Sequence, residues 1–169
     1  MNLAVDVHYP SEGQAVAAGV AFADWASAKI ENAEVVHLEN IQPYRSGNFY
    51  ERELPCILAL LERFERHPAT IIIDGYVTLG PDNRDGLGAH LFRALDGKVP
   101  VIGVAKSRFE GTPVECDLLR GTSERPLYVT SCGILLEEAK RLISSMHGEH
   151  RLPTLLSAVD GLSRRPASK

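Results

Sequence analysis

Residues 70–75 read Thr-Ile-Ile-Ile-Asp-Gly, and this short segment sets the centre of the predicted fold. Its β-branched side chains run without a polar interruption, which is typical of a strand buried on both faces of a sheet. A similar run, Val-Pro-Val-Ile-Gly-Val, follows at 99–104, and the pattern of residues 87–95 predicts a helix between the two. Strand, helix and strand at this distance predict a parallel pair joined by a crossover connection.

The residues before this pair predict three strands and another helix. Residues 3–9 alternate apolar and polar side chains, and residues 15–25 and 33–38 form two further extended runs. The short links between these runs predict an antiparallel meander. Segment 51–67 repeats apolar residues at helical spacing and is followed by a proline, which predicts an amphipathic helix.

The residues after the pair complete the prediction with a short strand at 128–131 and a helix at about 136–146. This order predicts an α/β fold of the ribonuclease H-like type. Its mixed central sheet has three antiparallel strands, then parallel strands, and helices flank it. We expect a single domain over residues 1–162 and a disordered polar tail at 163–169.

Composition excludes several classes of protein. The chain has 169 residues, of which 44% are hydrophobic and 24% charged, so disordered, collagen-like and coiled-coil proteins are excluded. The longest apolar run, residues 15–23, is too short to cross a membrane, and the first residues show no signal-peptide pattern. The three cysteines form no CxxC pair, which indicates reduced thiols and a cytoplasmic protein.

The charge is unevenly distributed along the chain. The formal net charge of −4 argues against a nucleic-acid binder that relies on bulk electrostatics. Residues 1–80 carry a net charge of −6, however, and residues 81–169 carry +2. The acidic surplus therefore lies in the half that contains the carboxylates described next.

Three carboxylates are expected to meet at one edge of the sheet. Asp6 lies within the first strand, Asp74 ends the fourth, and Glu53 opens the helix between them. Active crevices form outside the carboxyl ends of parallel strands, and oxygen ligands at such a place suit Mg²⁺ and phosphodiester hydrolysis. Structural roles are the alternative, because Asp74 suits a turn and Glu53 complements a helix dipole. Asp6, inside an apolar strand, needs a cation or a donor in either case.

Six short motifs occur in order along residues 3–162. They are Asp6 in Ala-Val-Asp-Val-His-Tyr, Pro43-Tyr44-Arg45-Ser46-Gly47 with Arg52-Glu53, Ile73-Asp74-Gly75, Gly86-Leu-Gly-Ala-His90, Gly103-Val-Ala-Lys106, and Arg151-Leu-Pro153 leading to Asp160. Each motif is short, but their order and spacing together resemble the endonuclease V family. The ribonuclease H-like fold of that family agrees with the predicted sheet.

The resemblance implies a Mg²⁺-dependent endonuclease of DNA repair that recognises inosine, the product of adenine deamination, in DNA or RNA. It also implies hydrolysis of a phosphodiester on the 3′ side of the lesion. Asp6, Glu53 and Asp74 would hold one or two Mg²⁺ ions, which Mn²⁺ can replace, and Asp160 matches a fourth acidic or histidine position. Lys106 would contact the scissile phosphate or orient the attacking water. The alternatives are a surface lysine at position 106 and a turn or helix-cap aspartate at position 160.

The resemblance also implies a substrate-binding set. Tyr44 would act as a wedge that separates strands at the lesion and compensates for lost stacking when the base is flipped out. Three glycines would allow close backbone approach to hypoxanthine, and two further side chains complete the set. These five residues are Gly47, Gly75, Gly103, Arg52 and His90. The alternatives are an ordinary loop aromatic for the tyrosine and ordinary strand-end positions for the last two glycines.

The sequence departs from the family pattern in four places. Ser46 replaces a proline of the wedge segment, Gly80-Pro81 replaces a histidine, and residues 131–134 replace a Gly-His-Arg motif. The family's helix before the first strand has no counterpart in this sequence. These departures favour a second hypothesis, an impaired homologue that binds nucleic acid or nucleotides without cleaving. The retained carboxylates favour the enzyme, for which we expect a nucleic-acid partner, no membrane and a monomeric state.

Overall fold

The computed structural model describes residues 1–166, so residues 167–169 of the predicted tail lie outside the described residues. The strands are β1 (Asn2–His8), β2 (Ala15–Phe22), β3 (Asn32–Leu38), β4 (Ile71–Asp74), β5 (Thr78–Leu79), β6 (Arg84–Asp85), β7 (Val101–Ala105), β8 (Asp117–Leu118) and β9 (Leu127–Cys132). The helices are α1 (Tyr50–Leu61), α2 (Leu87–Ala94), α3 (Leu136–Ser145) and α4 (Thr154–Ser163), with a 3₁₀ turn at Val114–Cys116.

A seven-stranded sheet in the order β3-β2-β1-β4-β7-β9-β8 forms the centre of the molecule. β1, β2 and β3 form the predicted antiparallel meander. β4 lies parallel to β1 and to β7, as the segments 70–75 and 99–104 predicted. The first and fourth strands are therefore neighbours at the centre, which is the arrangement that the carboxylate prediction requires.

Two layers of helices cover the sheet because successive strand residues point to opposite faces. Leu3, Val5 and Ile73 belong to the core beneath α1 and α2. Ala4 and Ile72 belong to the core beneath α3 and α4. This two-sided burial explains why the β4 segment contains only apolar residues before its last position.

Two strands differ from the prediction. β2 ends at Phe22 rather than at residue 25, because the Asp24 carboxylate accepts the Ala26 backbone N–H at 2.9 Å and turns the chain. β9 is longer than residues 128–131 and runs antiparallel to β7, so the sheet does not continue with parallel strands as expected.

The helix predicted at 51–67 is shorter in the structure. It ends at Leu61, after which the backbone N–H groups of Arg63 and Phe64 donate to carbonyls three residues earlier. Phe64 nevertheless packs into the core and is 8% exposed. The apolar spacing was therefore a correct guide to packing and a wrong guide to the helix end.

The tail predicted at 163–169 begins too early. Ser163 is the last residue of α4 and is fully buried, so it belongs to the folded domain. The apolar face of α4, which includes Leu155, Leu156 and Val159, packs on β1 and β2 and brings Ser163 to the sheet. Among the described residues, no helix is both long and apolar enough to cross a membrane.

Candidate active site

Three aspartates meet where β1, β4 and α4 come together. Carboxylate oxygens of Asp6, Asp74 and Asp160 all lie within 4.8 Å of one another. β1 and β4 are adjacent parallel strands, which sets Asp6 beside the carboxyl end of β4, where Asp74 stands. α4 packs against β1 and adds Asp160 from its second turn. The alternative of a turn or cap role for Asp160 is wrong, because it lies inside a helix.

Asp6 is the most buried of the three aspartates, with 6% of its surface exposed. The Ser163 hydroxyl donates a hydrogen bond to its carboxylate. Burial raises the pKa of Asp6, and the negative charges of Asp74 and Asp160 raise it further, while the Ser163 hydrogen bond offsets part of the effect. The aspartate within the apolar strand therefore has the donor it requires, and it still favours a nearby positive charge.

Lys106 supplies such a positive charge in the structure. It follows β7, and its Nζ lies 3.0 Å from Asp74 Oδ2 and 3.4 Å from Asp160 Oδ1. Burial alone would lower the pKa of Lys106, but the two carboxylates outweigh it, so the pKa lies above its ordinary value. Lys106 is therefore a cation at neutral pH in the metal-free protein and can donate hydrogen bonds.

A second cation holds Asp160 from the other side. Arg164 Nε lies 3.3 Å from Asp160 Oδ2, one helical turn along α4. Burial raises the pKa of Asp160, but the Arg164 hydrogen bond and the charges of Lys106 and Arg164 together bring it below its ordinary value. Asp160 is thus ionised over the physiological pH range.

Glu53 lies next to this group rather than inside it. It belongs to the first turn of α1 and is 5% exposed. Burial raises the pKa of Glu53 to about 8, with the charges of Asp6 and Asp74 adding to the effect and Arg52 opposing it. Its Oε2 has no hydrogen-bond partner within residues 1–166. The group of three that the structure brings together therefore contains Asp160 where the sequence predicted Glu53.

The four carboxylates are suitable ligands for a divalent cation. The group offers carboxylate oxygens, the ligands that hard cations such as Mg²⁺ prefer. The orphaned Oε2 of Glu53 is a buried acceptor without a donor, which is rare unless an ion or water satisfies it. Three converging carboxylates beside a fourth therefore match a site for a divalent metal.

An aromatic cleft of about 280 Å³ adjoins the carboxylates at Asp74. Its aromatic lining consists of Tyr44, Phe49, Tyr50, Tyr76 and Phe109. The cleft has the size and the apolar character of a pocket for a flat ring.

The glycines predicted to line a base pocket divide into two kinds. Gly47 and Gly75 line the aromatic cleft and have φ values of +84° and +132°, which side-chain-bearing residues rarely adopt. Gly103 does not line it. A Cβ at Gly103 would lie 2.5 Å from Gly75 O and 2.7 Å from Thr130 Oγ1. This glycine is thus required for packing beneath the loop that carries Gly75.

Most of the chain matches a known protein family. The family model described as endonuclease V matches residues 2–124. The chain belongs to the endonuclease V family. An endonuclease V of Nostoc punctiforme is 30% identical over 159 residues, which cover 92% of this chain and 71% of the relative. One of Streptomyces coelicolor is 38% identical over 120 residues, covering 70% of this chain and 50% of the relative.

Solved endonuclease V structures have the same fold. The structure from Streptomyces avermitilis has a TM-score of 0.76 at 30% identity and covers 96% of this chain and 79% of that one. Human endonuclease V gives 0.78 at 24% identity, with coverages of 96% and 82%. The Ciona intestinalis enzyme, solved with a 24mer DNA containing an inosine followed by a ribo-adenosine, gives 0.78 at 20% identity, with coverages of 96% and 84%. These matches confirm the mixed α/β fold, and family membership places the chain among the nucleases, a class of hydrolases.

The segment predicted to act as a wedge forms an aromatic cluster around Arg52 in the structure. The Arg52 guanidinium lies 3.6 Å from the centroid of the Tyr9 ring and within 6 Å of the rings of Tyr44 and Phe49. Tyr44 itself is 57% exposed, so its ring is accessible from solvent. Arg52 therefore supports the wedge segment from below, a contact that the sequence did not indicate.

His90 is placed on α2 with its ring stacked on Tyr50 at 3.5 Å between centroids. Tyr50 lines the aromatic cleft, so His90 supports the wall of the cleft from behind. His90 itself does not line the cleft, so it would act on a substrate only through Tyr50.

The departures from the family pattern form local turns in this chain. Gly80 has a φ of +70°, and Pro81 packs so tightly on Gly111 that a Cβ there would lie 2.5 Å from Pro81 Cδ. Ser131 Oγ donates to the Ile134 carbonyl at 2.9 Å after β9. At these positions the residues of this chain therefore form turns and a hydrogen bond to the backbone.

Sequence reasoning missed two residues that shape the site. Ser163 was assigned to the tail, although the apolar spacing of Leu155, Val159 and Leu162 could have revealed a helix that reaches it. Phe49 gave no signal, because a single exposed aromatic in a loop has many roles. Only the fold shows that it shares the cleft with Tyr44.

Proposed function

We propose that this chain is a Mg²⁺-dependent endonuclease that recognises inosine in DNA or RNA and hydrolyses a phosphodiester on the 3′ side of the lesion. One observation carries the proposal, namely that Asp74 belongs both to the group of three aspartates, which Lys106 contacts, and to the lining of the aromatic cleft. A base bound in the cleft would bring phosphates of its own strand near the carboxylates. Family membership and the inosine-containing DNA bound to the Ciona relative support the substrate class.

We assign metal binding to the carboxylates and contact with the phosphate or water to Lys106. Asp6, Asp74 and Asp160 would hold the cation, and the unpartnered Oε2 of Glu53 would be available to the ion or to a water beside it. When bound, Mg²⁺, or Mn²⁺ in its place, supplies Lewis acidity and stabilises negative charge on the reacting phosphate. Lys106 would donate hydrogen bonds to the scissile phosphate or to the attacking water. We expect water to attack the phosphate directly, without a covalent intermediate.

The aromatic cleft would bind the flipped base. Tyr44 takes the gap left in the stack, and the other rings sandwich hypoxanthine while Gly47 and Gly75 allow close backbone contacts. Cutting would begin once the lesion is seated, because the base fixes the register of the phosphates over the carboxylates.

A second candidate is binding without cleavage. Lys106 already pairs with Asp74 and Asp160 in the structure, so these carboxylates are neutralised in part without any metal. In that case nucleic acid would bind in the aromatic cleft, and added metal would change nothing.

One assay separates the candidates. End-labelled DNA and RNA oligonucleotides with a single inosine are incubated with and without Mg²⁺, beside the variants Asp74→Asn and Asp96→Asn. Asp96 is an exposed aspartate that pairs only loosely with Lys98, and its positive φ suits asparagine, so it is a matched control. We expect a Mg²⁺-dependent cut on the 3′ side of inosine that Asp74→Asn abolishes and Asp96→Asn retains. Uncut inosine oligonucleotides would support the binding candidate instead.

Metal binding has a test that does not depend on activity. A bound ion stabilises the folded state, so Mg²⁺ should raise the Tm of the wild type and of Asp96→Asn. It should leave the Tm of Asp74→Asn almost unchanged.

We also propose that the protein is a cytoplasmic monomer. Its three cysteines are free, with Cys56 and Cys116 buried, as expected in a reducing compartment. Size-exclusion chromatography of the purified protein checks the monomeric state.

A further inference from the structure

A second cavity lies on the other side of the carboxylates from the aromatic cleft. This basic groove of about 400 Å³ is formed where β1 ends, β2 begins, β3 ends and α4 ends. Its polar lining includes His8, Gln14, His37, Glu39, Arg164 and Arg165. The proposed function gives no role to this part of the molecule.

The basic groove reaches the carboxylates directly. Ser163 belongs to its wall, and the Ser163 hydroxyl donates to Asp6. Arg164, also in the wall, contacts Asp160 through Nε and approaches His8 Nδ1 to 3.4 Å through Nη1. One chain of contacts therefore joins the basic groove to two of the three aspartates.

The sheet order places the two cavities on opposite sides of the site. Asp6 and Asp74 stand on β1 and β4, which are neighbours. The aromatic cleft extends from Asp74 towards α2 and the loop after β4, while the basic groove extends from β1 across the ends of β2 and β3. Asp6 and Asp74 therefore lie between the two cavities, on the path of a strand that would occupy both.

The chemistry of the basic groove suits phosphate. Arg164 and Arg165 bring two guanidinium groups, which match phosphate oxygens in geometry and charge. His37, Gln14 and Arg165 are exposed, and Glu39 alone opposes them in charge among the polar residues named for this wall. The rest of the acidic surplus of residues 1–80 does not line this groove.

We propose that the basic groove binds the sugar–phosphate backbone of the nucleotides on the 3′ side of the cut. The inference rests on the proposed function, because the base in the aromatic cleft and a cut on its 3′ side together give the direction of the strand. The 3′ part of the strand then leaves the carboxylates through the basic groove, where Arg165 and His37 contact its phosphates.

The test measures affinity against strand length. Inosine oligonucleotides of fixed 5′ length are extended on the 3′ side from one nucleotide to about eight beyond the cut, in the range of common single-strand sites. Binding is measured in the uncut Asp74→Asn background, with Arg165→Gln/His37→Gln added, or with Arg141→Gln/His67→Gln added as a matched control. All four of these side chains are exposed, and the control pair lines neither cavity.

We expect the 3′ extension to tighten binding about tenfold in the background and in the control pair, and to have little effect in Arg165→Gln/His37→Gln. The salt dependence of the longest oligonucleotide should also fall by about one phosphate contact in that variant. An equal gain in both double variants would overturn the inference, and so would a gain that follows 5′ extension instead. The inosine cleavage assay reports on the proposed function separately, since it uses the wild type and reads cutting rather than length.

Discussion

Glu53 is a carboxyl group that the fold keeps hard to ionise. Its pKa of about 8 lies above its ordinary value, so the folded protein binds more protons than the unfolded chain between about pH 4.5 and 8. The free energy of unfolding of the metal-free protein should therefore decrease as pH rises through this window. The contribution of a neutral Glu53 to the free energy of unfolding is fully present below about pH 4.5 and is lost above about pH 8.

The first prediction concerns a substitution that removes the ionisable group at position 53. Glu53→Gln should raise the Tm of the metal-free protein by about 3 °C or more near pH 8.5, and much less near pH 5, because glutamine stays neutral. Thermal unfolding at the two pH values measures the difference. Glu51→Gln, an exposed glutamate of the same helical turn, is the control and should show no such pH dependence. A gain of equal size at both pH values would mean that ionisation of Glu53 does not cause the stabilisation.

The second prediction concerns Lys106. Lys106→Ala should lower the single-turnover rate about 100-fold at saturating Mg²⁺, because a cation beside the reacting phosphate is lost. Lys98→Ala, an exposed lysine paired with Asp96, should leave the rate unchanged. A loss of less than about twofold would instead support the surface-lysine alternative for position 106.

At the scale of elements, the sequence was a good guide wherever burial gave a clear period. The continuous apolar run of β4, the meander and the pairing of β1 with β4 were all predicted correctly. The end of α1 was not, because Phe64 is buried by a turn rather than a helix. Local spacing reports which side chains are buried, but the backbone that buries them depends on tertiary contacts.

α4 shows the same limit for the site. Asp160 was singled out by motif, yet its place beside Asp6 and Asp74 depends on how α4 packs across β1. Glu53 was predicted in the same group, but its helix sets it just outside. No local pattern distinguishes these two carboxylates, since the distance between elements decides which of them joins the group.

The third prediction tests how the elements around Lys106 are held. Arg151 Nη2 donates to the carbonyls of Lys106 at 2.5 Å and Pro126 at 2.6 Å, and Nε donates to the Arg125 carbonyl at 3.1 Å. It thus ties the end of β7 to the loop before β9 and to the segment leading into α4. Arg151→Ala should lower the Tm by about 5 °C, because charge-assisted hydrogen bonds are lost.

The same variant should also lower the cleavage rate about tenfold, because Lys106 loses its fixed backbone. Arg141→Ala is the matched control, since Arg141 makes only an exposed ion pair with Glu138 and should change the Tm by little. Equal Tm values for the two variants would show that the Arg151 contacts contribute no more than a surface pair.

At the scale of the whole molecule, the net charge of −4 hides an arrangement that favours nucleic acid. The acidic half contains Asp6, Glu53 and Asp74, and two bound Mg²⁺ ions would formally cancel the net charge of −4. The basic half contributes Lys106, Arg164 and Arg165 around the carboxylates. Affinity for phosphate should therefore depend on whether the carboxylates are neutralised rather than on the overall charge.

The fourth prediction follows from this balance. Without divalent metal, three aspartates within 4.8 Å repel the phosphate that must lie over them, and Lys106 offsets only part of that repulsion. An inosine oligonucleotide should bind at least about tenfold more tightly with divalent metal than with a chelator, and the metal-dependent affinity should decrease steeply with added salt. Fluorescence anisotropy measures the affinity with metal and with chelator, and its salt dependence, for Asp96→Asn and Asp160→Asn. Only Asp160→Asn removes a negative charge from the three aspartates, so only this variant should reduce the difference in affinity between metal and chelator. Tight binding in chelator by the wild type would contradict the prediction, since it would mean that phosphate avoids the aspartates altogether.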